Sequence, residues 1–378
     1  MVIKTRPVLE DFRRINQLCP NTPALLIDLA VVEEDFLQFQ NSFPEARIFY
    51  AVKANSHPAV LQRLFMLGAG FEIASVGEMR SLQKLGVPSE RMISSNPIKP
   101  RHFITAAATA GVKYFAVDSP AEIDKFAQLA PRAGLYIRLC VPNVGSDWPL
   151  EKKFGVEIDE ALDLMAYAHS KNLVISGVTF HVGSQNRNPE GWALAMAKAK
   201  TLWDAAALRG IELEILNIGG GMPVLYTNPD VPTVSCLGDS IESVRETLLP
   251  GVEMWLEPGR AVVARAGTMV CTVQGVARRD GKRWVYLDAG IFHGLAEGLG
   301  GITYRVLTEA SGSLEPCILA GPSCDSMDVI VKGVMLPQLR VGDRIAFMAC
   351  GAYTTVYSSE FNGMPGPETV IIDSSVNA

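Results

Sequence analysis

Several polar side chains close short apolar runs of the sequence, and one of them is a lysine. Lys53 ends the run FYAVK, where small and apolar neighbours surround it and Asn55 follows. A lysine that is partly removed from water has a lowered pKa, and its free amine can attack an aldehyde. A surface lysine whose stem passes the rim of a strand is the alternative for this position. The chemistry therefore depends on what else lies near Lys53.

Three consecutive glycines, Gly219–Gly221, follow the apolar run ILNI. Their backbone N–H groups are not covered by side chains, which is how proteins hold a phosphate. Gly183 and Ser184 offer further donors, and Arg260 offers a positive charge. Any tight turn also uses glycines, so the run indicates a phosphate site only together with its neighbours.

Two further strand-end residues suit an aromatic nitrogen heterocycle. Glu257 ends MWLE, and a carboxylate facing a pyridine nitrogen keeps it protonated, so that the ring accepts electrons from a carbanion. His181 ends GVTFH and can stack on such a ring. The alternatives are a helix cap or surface ion pair for Glu257 and a buried, hydrogen-bonded imidazole for His181. Glu72 in FEIAS and Arg138 in LYIR occupy similar positions.

A second cluster lies nearer the end of the chain. The segment AGPSCDSMD places Cys324 beside Asp325 after a Gly-Pro turn, and Tyr353 follows a glycine in ACGAYTTVY. A cysteine is most often inert packing. Next to an aspartate in a loop, however, its thiol can donate a proton to carbon, and Asp325 can pair with a cationic group of a substrate.

These residues need elements that bring them together, and the apolar runs alternate with helix-like segments such as 161–172 and 192–210. Strand alternating with helix predicts parallel strands, and about eight such units predict a TIM (β/α)8 barrel, with an open doubly wound sheet as the alternative. Strand C-termini of a barrel converge on one face, which holds the active site. The apolar runs are Ala24–Leu29, Ile48–Lys53, Phe71–Ser75, Met92–Asn96, Tyr114–Asp118, Leu135–Cys140, Val174–Val182, Ile215–Ile218 and Met254–Glu257.

The pattern changes after Arg260 to short, β-branched runs with turns between them and little helix. We therefore predict an α/β protein with a barrel over residues 21–260 and a mainly antiparallel β domain, a sandwich or barrel, over 261–378. Residues 1–20 are expected to add a strand to the β domain.

Composition excludes several classes of function. The chain has 378 residues, a formal net charge of −6 and no dense basic run, which argues against nucleic-acid binding. Its seven cysteines are scattered and form no CxxC pair, which argues against disulfides and a metal cluster and for a reducing compartment. No apolar stretch approaches the roughly 20 residues that span a bilayer. We expect a cytoplasmic protein without metal, membrane or nucleic-acid partners.

The segments together resemble the fold-type III pyridoxal-phosphate decarboxylases, which act on ornithine, lysine, arginine and diaminopimelate, and most closely the bacterial ornithine decarboxylases. The resemblance extends from Thr22-Pro23 to Phe361-Asn362-Gly363 and agrees with a barrel followed by a β domain. Its segments, in order, are YAVKAN (50–55), FEIASVGE (71–78), FHVGSQ (180–185), NIGGG (217–221), EPGR (257–260), GPSCDSMD (321–328) and CGAYT (350–354).

The resemblance implies pyridoxal 5'-phosphate as the cofactor and assigns roles around it. Lys53 resembles the lysine that carries the cofactor as a Schiff base, His181 the histidine that stacks on its ring, and Glu257 the carboxylate at its pyridine nitrogen. The other residues matched to the cofactor pocket are Glu72, Arg138, Ser184, Gly220, Gly221, Arg260 and Tyr353.

The resemblance also implies a head-to-tail homodimer with shared active sites, in which Cys324 and Asp325 reach the partner's barrel. Cys324 would protonate the substrate carbon after CO₂ leaves. Asp325 would bind the distal ammonium of the substrate, as in the diamine-forming branch. Phe292, Phe361 and Glu297 are further substrate-binding candidates. A surface position on a helix is the alternative for Glu297.

The substrate stays open between several amino acids. Ornithine, giving putrescine for polyamine biosynthesis, comes first, and lysine or a specialised substrate, including a D-amino acid, follows. Diaminopimelate is less favoured, because its decarboxylases usually carry CESGD where this chain has CDSMD. Glu257 argues against a racemase-like enzyme, which places an arginine at the ring nitrogen. The matched cofactor residues argue against a non-catalytic regulator.

Overall fold

The protein was analysed as a computed structural model, which describes residues 12–148 and 153–375. The chain divides into two compact units. One is the barrel unit, Asp35–Pro223 with Val231–Val262, and the other, the β unit, comprises the described parts of Met1–Glu34, Val224–Asp230 and Val263–Ala378. The strands in chain order are β1 (Ala24–Asp28), β2 (Arg47–Ala51), β3 (Gly70–Glu72), β4 (Met92–Ser94), β5 (Tyr114–Val117), β6 (Gly134–Arg138), β7 (Ser146–Trp148), β8 (Val174–Thr179), β9 (Ser184–Asn186), β10 (Ile215–Asn217), β11 (Glu253–Leu256), β12 (Gly267–Arg279), β13 (Lys282–Leu287), β14 (Val306–Thr308), β15 (Glu315–Ala320), β16 (Val329–Leu336), β17 (Arg344–Met348) and β18 (Glu368–Ile372).

The helices alternate with the strands in the barrel unit and are nearly absent from the β unit. They are α1 (Phe12–Leu18), α2 (Leu29–Ser42), α3 (Pro58–Met66), α4 (Val76–Lys84), α5 (Arg101–Ala110), α6 (Pro120–Leu129), α7 (Ile158–Ser170), α8 (Glu190–Ala207), α9 (Val234–Leu248) and α10 (Arg260–Val263). Short 3-10 helices cover Val52–Ala54, Ser89–Arg91, Ile291–His293, Ala296–Gly300, Thr355–Tyr357 and Phe361–Gly363. No helix among the described residues is long and apolar enough to cross a membrane.

The barrel unit contains a closed barrel of eight strands in the order β10-β11-β2-β3-β4-β5-β6-β8, and each neighbouring pair is parallel. This confirms the predicted TIM barrel and excludes the open sheet. Strands β7 and β9 form a separate antiparallel pair. Helices α7 and α8 confirm the two predicted helical segments within a few residues of their ends.

Aromatic side chains fill the barrel interior. The Trp255 ring lies 4.9 Å from the Phe49 ring and 5.1 Å from the Tyr114 ring, centroid to centroid. Ile93, Ala116, Tyr136 and Ile215 complete this cluster, and all four are almost fully buried. Such packing makes the barrel rigid, so the residues that follow its strands start from fixed positions.

The β unit contains one connected eight-stranded sheet, ordered β14-β17-β12-β13-β15-β16, with β1 paired to β12 and β18 paired to β1. Most pairs are antiparallel, as predicted, whereas β1 with β18 and β13 with β15 are parallel. The long strand β12 pairs with β1 and β17 through its first half and with β13 through its second half.

One predicted assignment near the start of the chain is wrong, and a second stays untested over residues 1–11. The run Ala24–Leu29 is not a barrel strand, because β1 lies between β12 and β18 in the β unit. The expected strand in residues 1–20 is not found in the described part of that segment. Residues 1–11 lie outside the described residues, and Phe12–Leu18 form a helix. Phe12 and Ile15 pack with Leu26 and Ala346 in the core of the β unit.

Candidate active site

Lys53 lies directly beyond the carboxyl end of β2, in the 3-10 turn Val52–Ala54. Its Nζ is 3.7 Å from Oε2 of Glu72, which ends β3. About half of the Lys53 side chain (53%) is exposed, whereas only 2% of the Glu72 side chain is. The barrel thus holds an accessible amine against a buried carboxylate, and Lys53 is not merely a lysine that points into solvent.

Glu257 follows β11 at the same face of the barrel. Its Oε1 accepts hydrogen bonds from the Ser95 hydroxyl and from Asn217 Nδ2, the latter at 2.5 Å. Burial, with a smaller contribution from the charge of Glu72, raises the pKa of Glu257 to about 7, and the donors from Ser95 and Asn217 partly oppose this rise. A positively charged partner would return this carboxyl to its ionised form.

His181 follows β8, and its ring is neutral. The Gly183 N–H donates to Nδ1 at 3.0 Å, so Nδ1 is an acceptor and the ring proton lies on Nε2. Burial, with smaller contributions from the charges of Arg138 and Lys53, lowers the pKa of His181 to about 3. A neutral imidazole suits stacking on an aromatic ring better than ion pairing.

Arg138 ends β6 and brings a cation to the same region. Its guanidinium lies 5.5 Å from the centre of the Phe154 ring. Burial lowers the pKa of Arg138, while the negative charges of Glu257, Asp118 and Glu72 oppose that change. Since its ordinary value is far above neutrality, Arg138 stays charged and balances the carboxylates around it.

The glycine run after β10 is packed against neighbouring backbone. A Cβ added to Gly219, Gly220 or Gly221 would lie 2.5 Å or less from a carbonyl oxygen, namely that of Phe180, Glu257 or Gly183 respectively. Gly219 and Gly221 also have φ of +66° and +102°. Only glycine fits these three positions. Nearby, Arg260 Nε donates to Ser184 Oγ at 3.4 Å.

The Cys324 segment is the tip of the antiparallel hairpin β15–β16 in the β unit. Cys324 and Asp325 are both exposed, and Asp325 Oδ1 accepts a hydrogen bond from the Met327 N–H at 2.8 Å. The base of the tip is held by Asp328, which is 2% exposed. The hairpin thus presents a thiol and a carboxylate to the outside of its unit.

The other predicted residues of the β unit differ in exposure. The rings of Phe292 and Phe361 are 4.5 Å apart, centroid to centroid, so these two substrate-binding candidates form one contact. Glu297 is 3% exposed within the 3-10 helix Ala296–Gly300, so the surface alternative for this residue is wrong. Tyr353 has a φ of +55°, which is unusual for a bulky residue and is often found at functional sites.

The barrel residues fit the separate parts of pyridoxal phosphate. Lys53 supplies an amine for the aldehyde, Glu257 a carboxylate for the pyridine nitrogen, and His181 a neutral ring for stacking. The Gly219–Gly221 turn and Arg260 supply N–H groups and charge for the phosphate. Fold and site together define a barrel protein built to hold this cofactor.

Comparison with known proteins identifies the family. The model of the pyridoxal-dependent decarboxylases, pyridoxal binding domain, matches residues 29–264, and the chain belongs to this family. It is a pyridoxal-phosphate-dependent decarboxylase, as predicted.

The relatives cover almost the whole chain. The lysine/ornithine decarboxylase of Selenomonas ruminantium is 36% identical over 354 residues, which are 93% of this chain and 90% of that protein. The ornithine decarboxylase of Schizosaccharomyces pombe is 32% identical over 92% of this chain and 83% of its own length. Structures of lysine/ornithine decarboxylase from Vibrio vulnificus, complexed with cadaverine or with putrescine, are 33% identical, with a TM-score of 0.89 over 97% of this chain and 99% of theirs.

Reasoning from the sequence missed four polar residues that support the site. Ser95 and Asn217 donate to the Glu257 carboxyl, Tyr136 is hydrogen-bonded to Ser95, and Asp328 holds the Cys324 hairpin. Asn217 opens the NIGGG segment, and Ser95 is the next-to-last residue of the run Met92–Asn96, so both stand at strand ends as the recognised residues do. Their position at the end of a barrel strand is the signal by which these two residues could have been found.

Proposed function

We propose that this enzyme removes the α-carboxylate of a basic L-amino acid, with ornithine as the first substrate and lysine as the second. The observation that carries the proposal is the pairing of the Lys53 amine with buried Glu72 beside the Glu257 carboxyl at one barrel face. Two relatives named lysine/ornithine decarboxylase support this substrate class, and structures of one of them contain cadaverine or putrescine.

Each barrel residue has a definite task in this proposal. When bound, pyridoxal phosphate supplies the electron sink for the bond that breaks as CO₂ leaves. Glu257 would face the pyridine nitrogen and keep it protonated, the Lys53 amine would hold the cofactor through its aldehyde, and the neutral ring of His181 would stack on the pyridine ring. Residues that bind the phosphate are Ser184, Gly220, Gly221, Arg260 and Tyr353, while Glu72 and Arg138 orient Lys53 and balance its charge.

Cys324 and Asp325 complete the site from a partner subunit in this proposal. Both are exposed at the tip of β15–β16, which is where residues that act outside their own unit are expected. The Cys324 thiol donates the proton that replaces CO₂ on the substrate carbon. The Asp325 carboxylate binds the distal ammonium, and Phe292, Phe361 and Glu297 line the substrate's side chain. A head-to-tail homodimer follows from this arrangement.

The test is release of CO₂ from a panel of amino acids by the protein loaded with pyridoxal phosphate. The panel contains L-ornithine, L-lysine, L-arginine, meso-diaminopimelate and the D-forms of the first two. We expect ornithine to give the highest kcat/KM and lysine the next. Activity with diaminopimelate alone would refute the substrate class. Lys53→Ala, the control, should lose both activity and covalent cofactor binding.

Asp325→Asn tests the distal-ammonium role. Asparagine keeps the Oδ1 acceptor for the Met327 N–H, so the turn survives while the charge is lost. Opposite charges about 4 Å apart gain roughly 4 kcal/mol at an effective dielectric of 20, before desolvation is subtracted. We expect kcat/KM for ornithine to fall about 10- to 100-fold. An equal fall for a substrate without a distal charge would contradict the assignment.

We also place the enzyme in the cytoplasm. All seven cysteines are free thiols in the structure, as a reducing compartment requires. Fractionation of cells that produce the protein, with activity followed in each fraction, tests this location.

A further inference from the structure

Ser95 lies between three polar groups at the carboxyl end of β4. Its Oγ contacts Oε1 of Glu257 and is 2.5 Å from the Tyr136 hydroxyl. Its backbone N–H donates to Glu72 Oε1 at 3.2 Å. One small residue therefore touches both carboxylates near Lys53.

The direction of these hydrogen bonds follows from the number of protons. An ionised Glu257 can only accept, so the single proton of the Ser95 hydroxyl is donated to it. The Ser95 oxygen then accepts from Tyr136, which keeps its proton because burial and the charge of Glu257 raise the pKa of the phenol. The three groups thus form a chain of hydrogen bonds in which Tyr136 donates to Ser95 and Ser95 donates to Glu257.

Both donors to Glu257 converge on one of its oxygens. Ser95 and Asn217 donate to Oε1, while Oε2 receives no hydrogen bond from the described residues. The carboxyl group is thereby held by one oxygen and leaves the other for a ligand. Hydrogen bonds that fix an active-site carboxylate from behind are a common means of preorganisation.

The loop that carries Ser95 is itself fixed by a buried lysine. Lys99 is 1% exposed, and its Nζ donates to the carbonyl oxygens of Asn96 at 2.7 Å and of Ala116 at 2.5 Å. The same Nζ lies 3.6 Å from Glu122 Oε1. These contacts close the loop after β4 onto the end of β5, so Ser95 does not have to be ordered when the cofactor binds.

We propose that Ser95, with Tyr136 behind it, is a positioning residue that orients Glu257 and keeps it ionised for the cofactor's pyridine nitrogen. This inference rests on the role given to Glu257 in the proposed function. Ser95 does not touch the substrate in this scheme, and it acts only through Glu257.

The principal test compares Ser95→Ala with Ser94→Ala. Ser94 is the matched control, because it is the preceding residue, a fully buried serine whose Oγ has no hydrogen-bond partner among the described residues. For Ser95→Ala we expect the dissociation constant of pyridoxal phosphate, measured with cofactor-free protein by tryptophan fluorescence, to rise about tenfold. We expect kcat to fall by a similar factor, with KM for the amino acid unchanged. Ser94→Ala should match the wild type.

The pH profile separates positioning from simple packing. The charged or titratable groups that face Glu257 are Glu72, Lys53, Arg138 and Tyr136. These groups are unchanged in Ser95→Ala, but the loss of the Ser95 donor raises the pKa of Glu257. The acidic limb of the pH profile of kcat should therefore move to higher pH. A cavity without an electrostatic role would leave that limb in place.

Two further variants keep the outcomes distinct. Tyr136→Phe should show a smaller effect in the same direction, and the double variant with Ser95→Ala should be no worse than Ser95→Ala alone, since both act in one chain. If Glu257→Gln is impaired while Ser95→Ala behaves like Ser94→Ala, the positioning role is overturned and the proposed function stands. If Glu257→Gln is also unimpaired, the role of Glu257 and the inference both fail.

Discussion

Asp328 offers a sharp test of how the β unit holds its Cys324 hairpin. Its Oδ1 accepts the Ile291 N–H at 2.8 Å, and its Oδ2 accepts the Ser323 N–H at 3.1 Å and the Ser323 hydroxyl at 2.6 Å. Gly290 and Gly321 come so close that a Cβ on either would overlap the Asp328 carboxylate. One buried carboxylate therefore ties the Ile291 turn to the hairpin tip.

The magnitude follows from these three hydrogen bonds. In Asp328→Asn the amide oxygen can satisfy Ser323, but the amide nitrogen then faces the Ile291 N–H. An unpaired buried N–H costs about 1–3 kcal/mol, and the remaining bonds lose their charge, so we expect a loss of about 3 kcal/mol. Asp328→Ala should lose about 4 kcal/mol, because both N–H groups lose their acceptor.

The assay is urea unfolding of each variant, analysed with a common slope, together with hydrogen exchange of the Ile291 and Ser323 amides. Ser323→Ala is the control, because it removes a single hydroxyl donor and should cost about 1 kcal/mol. Asp328→Asn should also lower kcat, since the Cys324 tip loses its support. A change below about 0.5 kcal/mol, with amide protection unchanged, would refute this account of the hairpin.

Three other predictions concern the barrel unit. Gly220→Ala should weaken cofactor binding about 100-fold, because its Cβ would lie 2.5 Å from the Glu257 carbonyl oxygen. Gly77→Ala is the control and should leave the affinity unchanged, because the nearest atom to its Cβ would be 3.6 Å away. Equal affinities of the two variants in a cofactor titration would contradict this prediction. In cofactor-free protein, Glu257 titrates near pH 7 instead of 4.5, so the folded state binds a proton that the unfolded chain has released. The free energy of unfolding should therefore fall as pH rises through that window, and Glu257→Gln should remove that part of the fall in urea titrations at each pH. His181, with a pKa of about 3, should show no imidazole titration by NMR between pH 5 and 9, and a midpoint in that range would show the ring to be charged.

Most of the barrel was predictable because its signal is local. Eight of the nine apolar runs became barrel strands, since a helix-like segment separates each run from the next, in units of about 20 to about 40 residues. The assignment of Ala24–Leu29 to the barrel failed because ALLID, the sequence of β1, has the composition of a barrel strand. The residues of β1 pair with β12 and β18 at separations of 240 positions (Ile27 with Gly267) or more, and no periodicity within the run indicates these partners.

The candidate site was predictable to the same extent. Lys53, Glu72, Arg138, His181 and Glu257 follow different strands, and a parallel barrel brings strand ends to one face whatever the details of its packing. The hydrogen bonds that support these residues, such as those from Ser95 and Asn217 to Glu257, require atoms from different strands to be placed to within a few tenths of an ångström. Apart from the strand-end position of Ser95, nothing in the sequence distinguishes Ser95 or Asp328 from an ordinary loop residue.

The placement of β1 between β12 and β18 sets an order of events during synthesis of the chain. Ala24 pairs with Val270 on one side and with Glu368 on the other. While the ribosome makes the residues between them, the barrel strands from Arg47 to Leu256 are completed. The first strand of the β unit meanwhile has no partner on either edge, and unpaired edges invite aggregation. The β unit therefore finishes last, and Ala24–Asp28 is the described strand that waits longest for its partners.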